Sequence, residues 1–411
     1  MNTTHIQHSH MNTTHIKHSP WLTGQLVLCA LAVVAQLYLP IPILSALSTE
    51  FGMQQAEAGY ALTAFSVPYA FGFLVFGPLS DHIGRRRVMT YGLVVLSVSS
   101  LLLQLATTPI VFLTLRALQG FAAAAFPPIA LAYLAERGTP RQRAWGVSWM
   151  STAFLMAGLL GQMYGAFATP LVGFSKALIP LCVVYLCTAA WLQRGLASDV
   201  HVTPGGQPSG LASLFQALRD VVGNPSLRRV YGPALVLLLC FVAFYLGLDA
   251  RMGVILQQSG FNQFAVRLVA LPGFLAPLAV AALIPRFGPH HMAGTGLAVA
   301  TAGLVLAALT AVAGKPMLVL AASLLFTIGI GITVPSLIAR VARSAPQHCR
   351  GMAIAFYTFT LFIGASLGPW VAGRSSNLGA GTFFGMLAAL MALAAAISWS
   401  PPPAVLSKNN D

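Results

Sequence analysis

The sequence predicts an all-α integral membrane protein with twelve transmembrane helices in two six-helix halves. Three observations carry that reading. Of 411 residues, 57% are hydrophobic and only 7% are charged, against about 25% charged in ordinary soluble domains. Apolar stretches near the length that spans a bilayer, about 20 residues, recur twelve times. One longer polar stretch, Gly195 to Arg229 with T-P-G-G-Q-P-S-G, falls after the sixth of them and divides the chain once.

Along the chain, residues 1–20 carry the tandem repeat MNTTHIQHSH and MNTTHIKHSP. The repeat is too polar for a secretory signal core and reads as a disordered cytoplasmic tail, with Met11 as an alternative start. Its five histidines also allow a metal reading, but no metal site is expected. Apolar stretches follow near 22–45, 58–80, 88–106, 109–134, 144–168 and 174–194, so residues 21–194 form the first half. Residues 195–230 read as a flexible cytoplasmic linker. Stretches near 231–250, 264–285, 292–313, 316–341, 351–372 and 380–399 make the second half, 231–400, and 401–411 is a second cytoplasmic tail.

The formal charge of +14 would suggest nucleic acid in a soluble protein, but here its distribution explains it. With both termini inside, sixteen Lys and Arg residues fall in loops and tails on one side. Five, Lys176, Arg251, Arg267, Lys315 and Arg374, fall on the other. That asymmetry places the richer side in the cytoplasm, where it also attracts anionic lipid headgroups. The basic residues make no continuous face, so no nucleic-acid partner is expected. Cys29, Cys182, Cys187 and Cys240 lie in spans and Cys349 in a loop, which gives no disulfide framework. Walker, nucleotide-loop and zinc spacings are absent, so the chain reads as a non-enzyme without cofactor.

Between the second and third stretches lies Gly77-Pro-Leu-Ser-Asp-His-Ile-Gly-Arg-Arg-Arg87. Its cationic cluster has to sit in a short loop at the membrane surface. Gly77 and Gly84 allow close helix approach and a tight turn, while Asp81 can accept hydrogen bonds from backbone amides and arginines. The pattern G-x-L-S-D-x-x-G-R-R-x resembles the corresponding loop of the major facilitator superfamily. The resemblance implies that Gly77, Asp81, Gly84, Arg85 and Arg86 form a latch, with Asp81 and Arg85 holding the outward-open state. A basic anchor loop with a capping Asp81 is the simpler alternative.

The halves also resemble each other. Arg143 opens a span carrying Gly146, Gly158, Gly161 and Gly165; Arg350 opens one carrying Gly351, Gly364, Gly368 and Gly373. Gly288, in I-P-R-F-G-P-H-H, takes the place of Gly84, although the acid and the first arginine are gone. Two related bodies pivoting about a central site are what alternating access requires.

The remaining cation, Arg116, is the only basic residue deep in a span, so it should face a partner or a watery cavity. With Gln119 and Gly120 it resembles the R-x-x-Q-G motif of drug/proton antiporters, which implies a part in proton coupling. In the fifth span A-G-L-L-G-Q-M-Y-G resembles the exporters' glycine-rich antiporter motif, with Gly161-Gln162 in place of Gly-Pro. Gly158, Gly161 and Gly165 read either as gating glycines or as plain helix contacts.

No span holds a central Asp or Glu, and Gln36 stands where many such exporters carry an acid. Asp249, two residues before Arg251, is the best remaining carboxylate for a proton or gating role; an exposed loop acid is the alternative. Gln36, Arg116 and Gln162 are the expected polar contacts in an otherwise aromatic cavity, and the missing countercharge favours a neutral or anionic solute. The expected function is a monomeric secondary transporter of the bacterial inner membrane, with a small-molecule substrate, protons and membrane lipids as partners. It would export a drug or metabolite by proton-coupled alternating access; an importer or facilitator of a sugar or organic acid, and remotely a receptor, are the alternatives.

Overall fold

The computed structural model describes residues 20–54, 59–136, 138–195, 211–261, 263–346 and 349–400. Among these every regular element is a helix. Eleven helices are long and apolar enough to cross a membrane: Trp21–Ile43, Tyr60–Ser80, Arg85–Leu105, Pro109–Glu136, Pro140–Val172, Phe174–Arg194, Pro225–Gln258, Ala276–Val312, Pro316–Ser344, Arg350–Arg374 and Ala380–Trp399.

Two spans are merged in that set. Ala276–Val312 has 37 residues, about 55 Å as one rod and nearly twice the hydrocarbon thickness of about 30 Å. Gly288, at φ 75° inside it, breaks the rod. Before it come the short helices Gln263–Val269 and Leu271–Phe274, and the second of these and Ala276–Val312 each restart with a proline in the first two positions. The eighth span is therefore a broken one ending at Gly288, the ninth begins there, and the all-α fold has twelve spans.

The stretch 195–230 needs a correction. Leu211–Gly223 is a helix, not open chain; Val221 is buried and Leu218 packs against the core. The seventh span then begins at Pro225, because the Asn224 carboxamide accepts from the Ser226 and Leu227 amides and Pro225 suits the first helical turn. Arg228 and Arg229 are thus in the span's opening turns, where Arg228 donates to the Val222 carbonyl and Arg229 to that of Ser400. The expectations for the tails 1–19 and 401–411, and for the T-P-G-G-Q-P-S-G segment, lie outside the described residues.

Packing repeats between the halves. Span one packs on five, two on four and three on six; correspondingly seven packs on eleven, eight on ten and nine on twelve. The small residues make this close. A Cβ at Gly161 would stand 2.5 Å from the Ala35 carbonyl oxygen, and one at Gly364 would collide with that of Leu235. Gly84 and Gly288 both turn at positive φ, 96° and 75°, a conformation that favours glycine.

Candidate functional site

The first half holds a charge buried among neutral groups. Span four starts at Pro109 behind the capping Thr108 hydroxyl, and two turns later places Arg116 at 0% exposure. Its guanidinium donates to Gln119 Oε1 at 3.1 Å, to the Ala61 carbonyl at 3.2 Å and to that of Gln36 at 3.5 Å. The rings of Phe65 and Phe174 lie 4.6 and 5.8 Å from its Cζ, within cation–π range.

Around it the amides interlock. Gln119 Nε2 and Gln36 Nε2 both donate to Ser100 Oγ, at 3.0 and 3.1 Å, and that hydroxyl donates onward to the Leu96 carbonyl. The Tyr185 hydroxyl donates toward Gln36 Oε1 at 2.9 Å and the Ala32 carbonyl at 3.0 Å. Five spans thus supply one network. No described carboxylate pairs with Arg116, so neutral dipoles and ring faces alone offset a desolvation that costs several kcal/mol for an ion in hydrocarbon. Gln36 and Arg116 come together with Gln119, whereas Gln162, the third expected polar contact, does not join them. Ser100 and Tyr185 were missed; a lone tyrosine and the S-x-S-S run in otherwise oily spans were the available signals.

The second half differs. Asp249 pairs at 2.7 Å with Arg267, which the broken start of the eighth span carries over it. Arg251 is taken elsewhere: it donates to the Leu378 and Ser375 carbonyls and lies 3.9 Å over the Phe383 ring. One turn before Asp249, the Tyr245 hydroxyl meets Thr327 Oγ1 at 2.8 Å. Asp249 and Arg116 therefore sit in separate polar clusters.

The halves meet where span two packs on span eleven and span five on the eighth to tenth. A Cβ at Gly77 would stand 2.6 Å from Ala355 Cβ. Farther along, the Phe362 ring lies 5.1 Å from Tyr69 and 5.4 Å from Phe73. The Tyr69 hydroxyl is fully buried on this seam without a hydrogen-bond partner. Gln162 donates to the Gly158 carbonyl of its own helix at 2.8 Å. Gly165 approaches the Leu39 carbonyl as closely as Gly161 approaches Ala35, whereas Gly158 meets only the Tyr38 ring at 3.9 Å.

In the basic loop, Arg85 grips Glu136 with two nitrogens, at 2.7 and 2.9 Å, joining the start of span three to the end of span four. Sequence reading gave Glu136 no partner or role. The side chain of Asp81 lies outside the described residues.

Two six-helix bodies thus meet at a central seam. The family profile of the Major Facilitator Superfamily matches residues 26–369, and the chain belongs to that superfamily. Its described helices are those of a multi-pass membrane protein of that superfamily. It is 26% identical over 235 residues to the chloramphenicol resistance protein CraA of Acinetobacter baumannii, covering 57% of this chain and 55% of that one. The chain thus aligns with about half the length of that relative. To the 4-hydroxybenzoate transporter PcaK of Pseudomonas aeruginosa it is 26% identical over 395 residues, 87% of this chain and 85% of that one. The fold matches the proton:xylose symporter XylE with a TM-score of 0.71 at 15% identity, over 93% of this chain and 95% of that one.

Proposed function

We propose that the protein exports a small organic compound, neutral or anionic, across a bacterial inner membrane in exchange for protons, working as a monomer. The observation that carries the substrate class is the fully buried Arg116, which has amide and carbonyl partners but no carboxylate among the described residues. A fixed positive charge beside the seam raises the barrier for cations and lowers it for anions. Export is supported by the similarity to CraA and by the close glycine contacts of the fifth span. The arginine-rich loops, both termini and the 195–210 segment face the cytoplasm in this reading, following the charge asymmetry.

Asp249 is the proton site in this reading, and its pair with Arg267 is the contact that movement of the eighth span would part. Asp81, with Gly77, Gly84, Arg85 and Arg86, latches the basic end. Uptake into everted vesicles, with and without a proton gradient, across matched neutral, anionic and cationic aromatics is the test. Gradient-driven uptake of neutral or anionic solutes supports the reading; uptake confined to cations sinks it. A second reading is import of an aromatic acid, favoured by the near full-length similarity to PcaK. Accumulation in right-side-out rather than everted vesicles would select it.

A further inference from the structure

At the basic end of the bundle a cleft of about 370 Å³ opens between the two halves. The first half contributes Arg143, at the start of span five, and the second contributes Arg343, at the end of span ten, and Arg350, at the start of span eleven. The rest of the wall is apolar and includes Val147, Ile284 and Ile338. No acid lines it. Glu136, next to the lining residue Ala135, is already engaged by Arg85.

Three arginines line this one small, otherwise apolar space, Arg343 with its side chain partly open to solvent, and their like charges favour something negative between them. A second observation points the same way. The Nε of Arg350 is sealed from solvent and has no hydrogen-bond partner, and an unpaired buried donor of that kind is destabilising. The helix that Arg350 opens also starts without a side-chain cap, so its first amides remain available to an anion. Because Arg143 belongs to one half and the other two arginines to its mate, any anion held here bridges the halves.

We propose that this cleft binds an amphipathic anion, a carboxylate or phosphate on an apolar body, and that the bound anion holds the basic end of the two halves together. The chemistry has two possible sources, a free aromatic acid or an anionic phospholipid headgroup. The site is distinct from the seam around Tyr69, and its test reads binding without transport, so it stands or falls apart from the export reading.

The full-length protein, purified into nanodiscs of phosphatidylcholine alone, is titrated with benzoate and with inorganic phosphate by calorimetry. In parallel, native mass spectrometry counts phosphatidylglycerol retained from mixed nanodiscs. Wild type should bind benzoate or retain phosphatidylglycerol, and Arg350→Gln and Arg143→Gln should each weaken that binding by about tenfold, the loss of one charge-assisted contact. Arg350→Lys keeps the charge and should recover part of it. Thermal melts of each variant establish that the loss is not unfolding. Benzoate binding alone assigns a free acid, and phosphatidylglycerol retention alone assigns lipid; either supports the site. Binding that is absent in wild type, or that persists unchanged in both glutamine variants, overturns it.

Discussion

The two halves pack alike but carry different charges. Each repeats the same helix pairings and the same glycine contacts, Gly161 on Ala35 and Gly364 on Leu235. Yet the first half buries one guanidinium among amides, while the second has a carboxylate and arginine, Asp249 and Arg267, as an ion pair between the seventh span and the start of the eighth. Shape is under the common constraint that helices must approach closely in lipid, where small residues drive packing. Polar groups are free to diverge as long as each is satisfied. In the proposed function the symmetric part serves the pivot, and the asymmetric part substrate and coupling.

The sharpest way to break the comparison is to empty the first-half cluster. Arg116→Ala strands Gln119 Oε1 and removes the side-chain donor from the carbonyls of Ala61 and Gln36. Each unsatisfied acceptor costs about 1–3 kcal/mol, against a total stability of about 5–15 kcal/mol. The protein should still insert, but transport should vanish and its melting temperature fall clearly. Arg116→Lys keeps the charge without the planar fork and should retain partial transport. Wild-type transport in Arg116→Ala would remove the cluster from the mechanism.

Next in size is the loop pair. The first-half loop keeps Asp81 where the second-half loop, around Gly288, has no acid. Asp81→Asn preserves shape and removes charge, so transport should fall steeply at normal membrane expression. A rate equal to wild type would make Asp81 a helix cap and the two loops equivalent after all.

A smaller, more selective effect is expected at Asp249. Asp249→Asn keeps a hydrogen bond to Arg267 but cannot titrate, so uptake measured against external pH should flatten while folding is little changed. An unchanged profile removes Asp249 from coupling, and a flat profile in wild type favours a facilitator.

How much of this was legible in the sequence follows from what a single chain encodes locally. The twelve spans were, because hydropathy acts over about 20 residues, and so were the turns at Gly84 and Gly288. The partner of Asp249 was not. Arg251, two residues away, looks near on paper, but positions i and i+2 do not share a helix face, and Arg267 arrives only through the break in the eighth span. Glu136 is 51 residues from Arg85 and Tyr185 is 149 from Gln36; contacts at such range are set by tertiary packing alone. The early start of the seventh span was hidden because Arg228 and Arg229 lower the hydropathy at the point where Asn224 and Pro225 start that helix.

The least disruptive variant sharpens the comparison at the seam where the halves touch. Tyr69 comes from the first half, its ring packs on Phe362 of the second, and its hydroxyl is buried without a partner. Tyr69→Phe therefore removes a polar group that the resting protein leaves unpaired, and stability should rise slightly, by up to about 1 kcal/mol. If the hydroxyl meets substrate during the cycle, the same change should weaken apparent affinity several-fold, since a lost hydrogen bond of about 1 kcal/mol corresponds to roughly fivefold. The two readouts move in opposite directions. A melting temperature that rises with an unchanged KM makes Tyr69 a packing residue and shifts the search for substrate contacts toward Gln162 and Tyr245. A raised KM with a raised melting temperature places the solute on the seam, between a half that holds a fixed charge and one that holds a titratable pair.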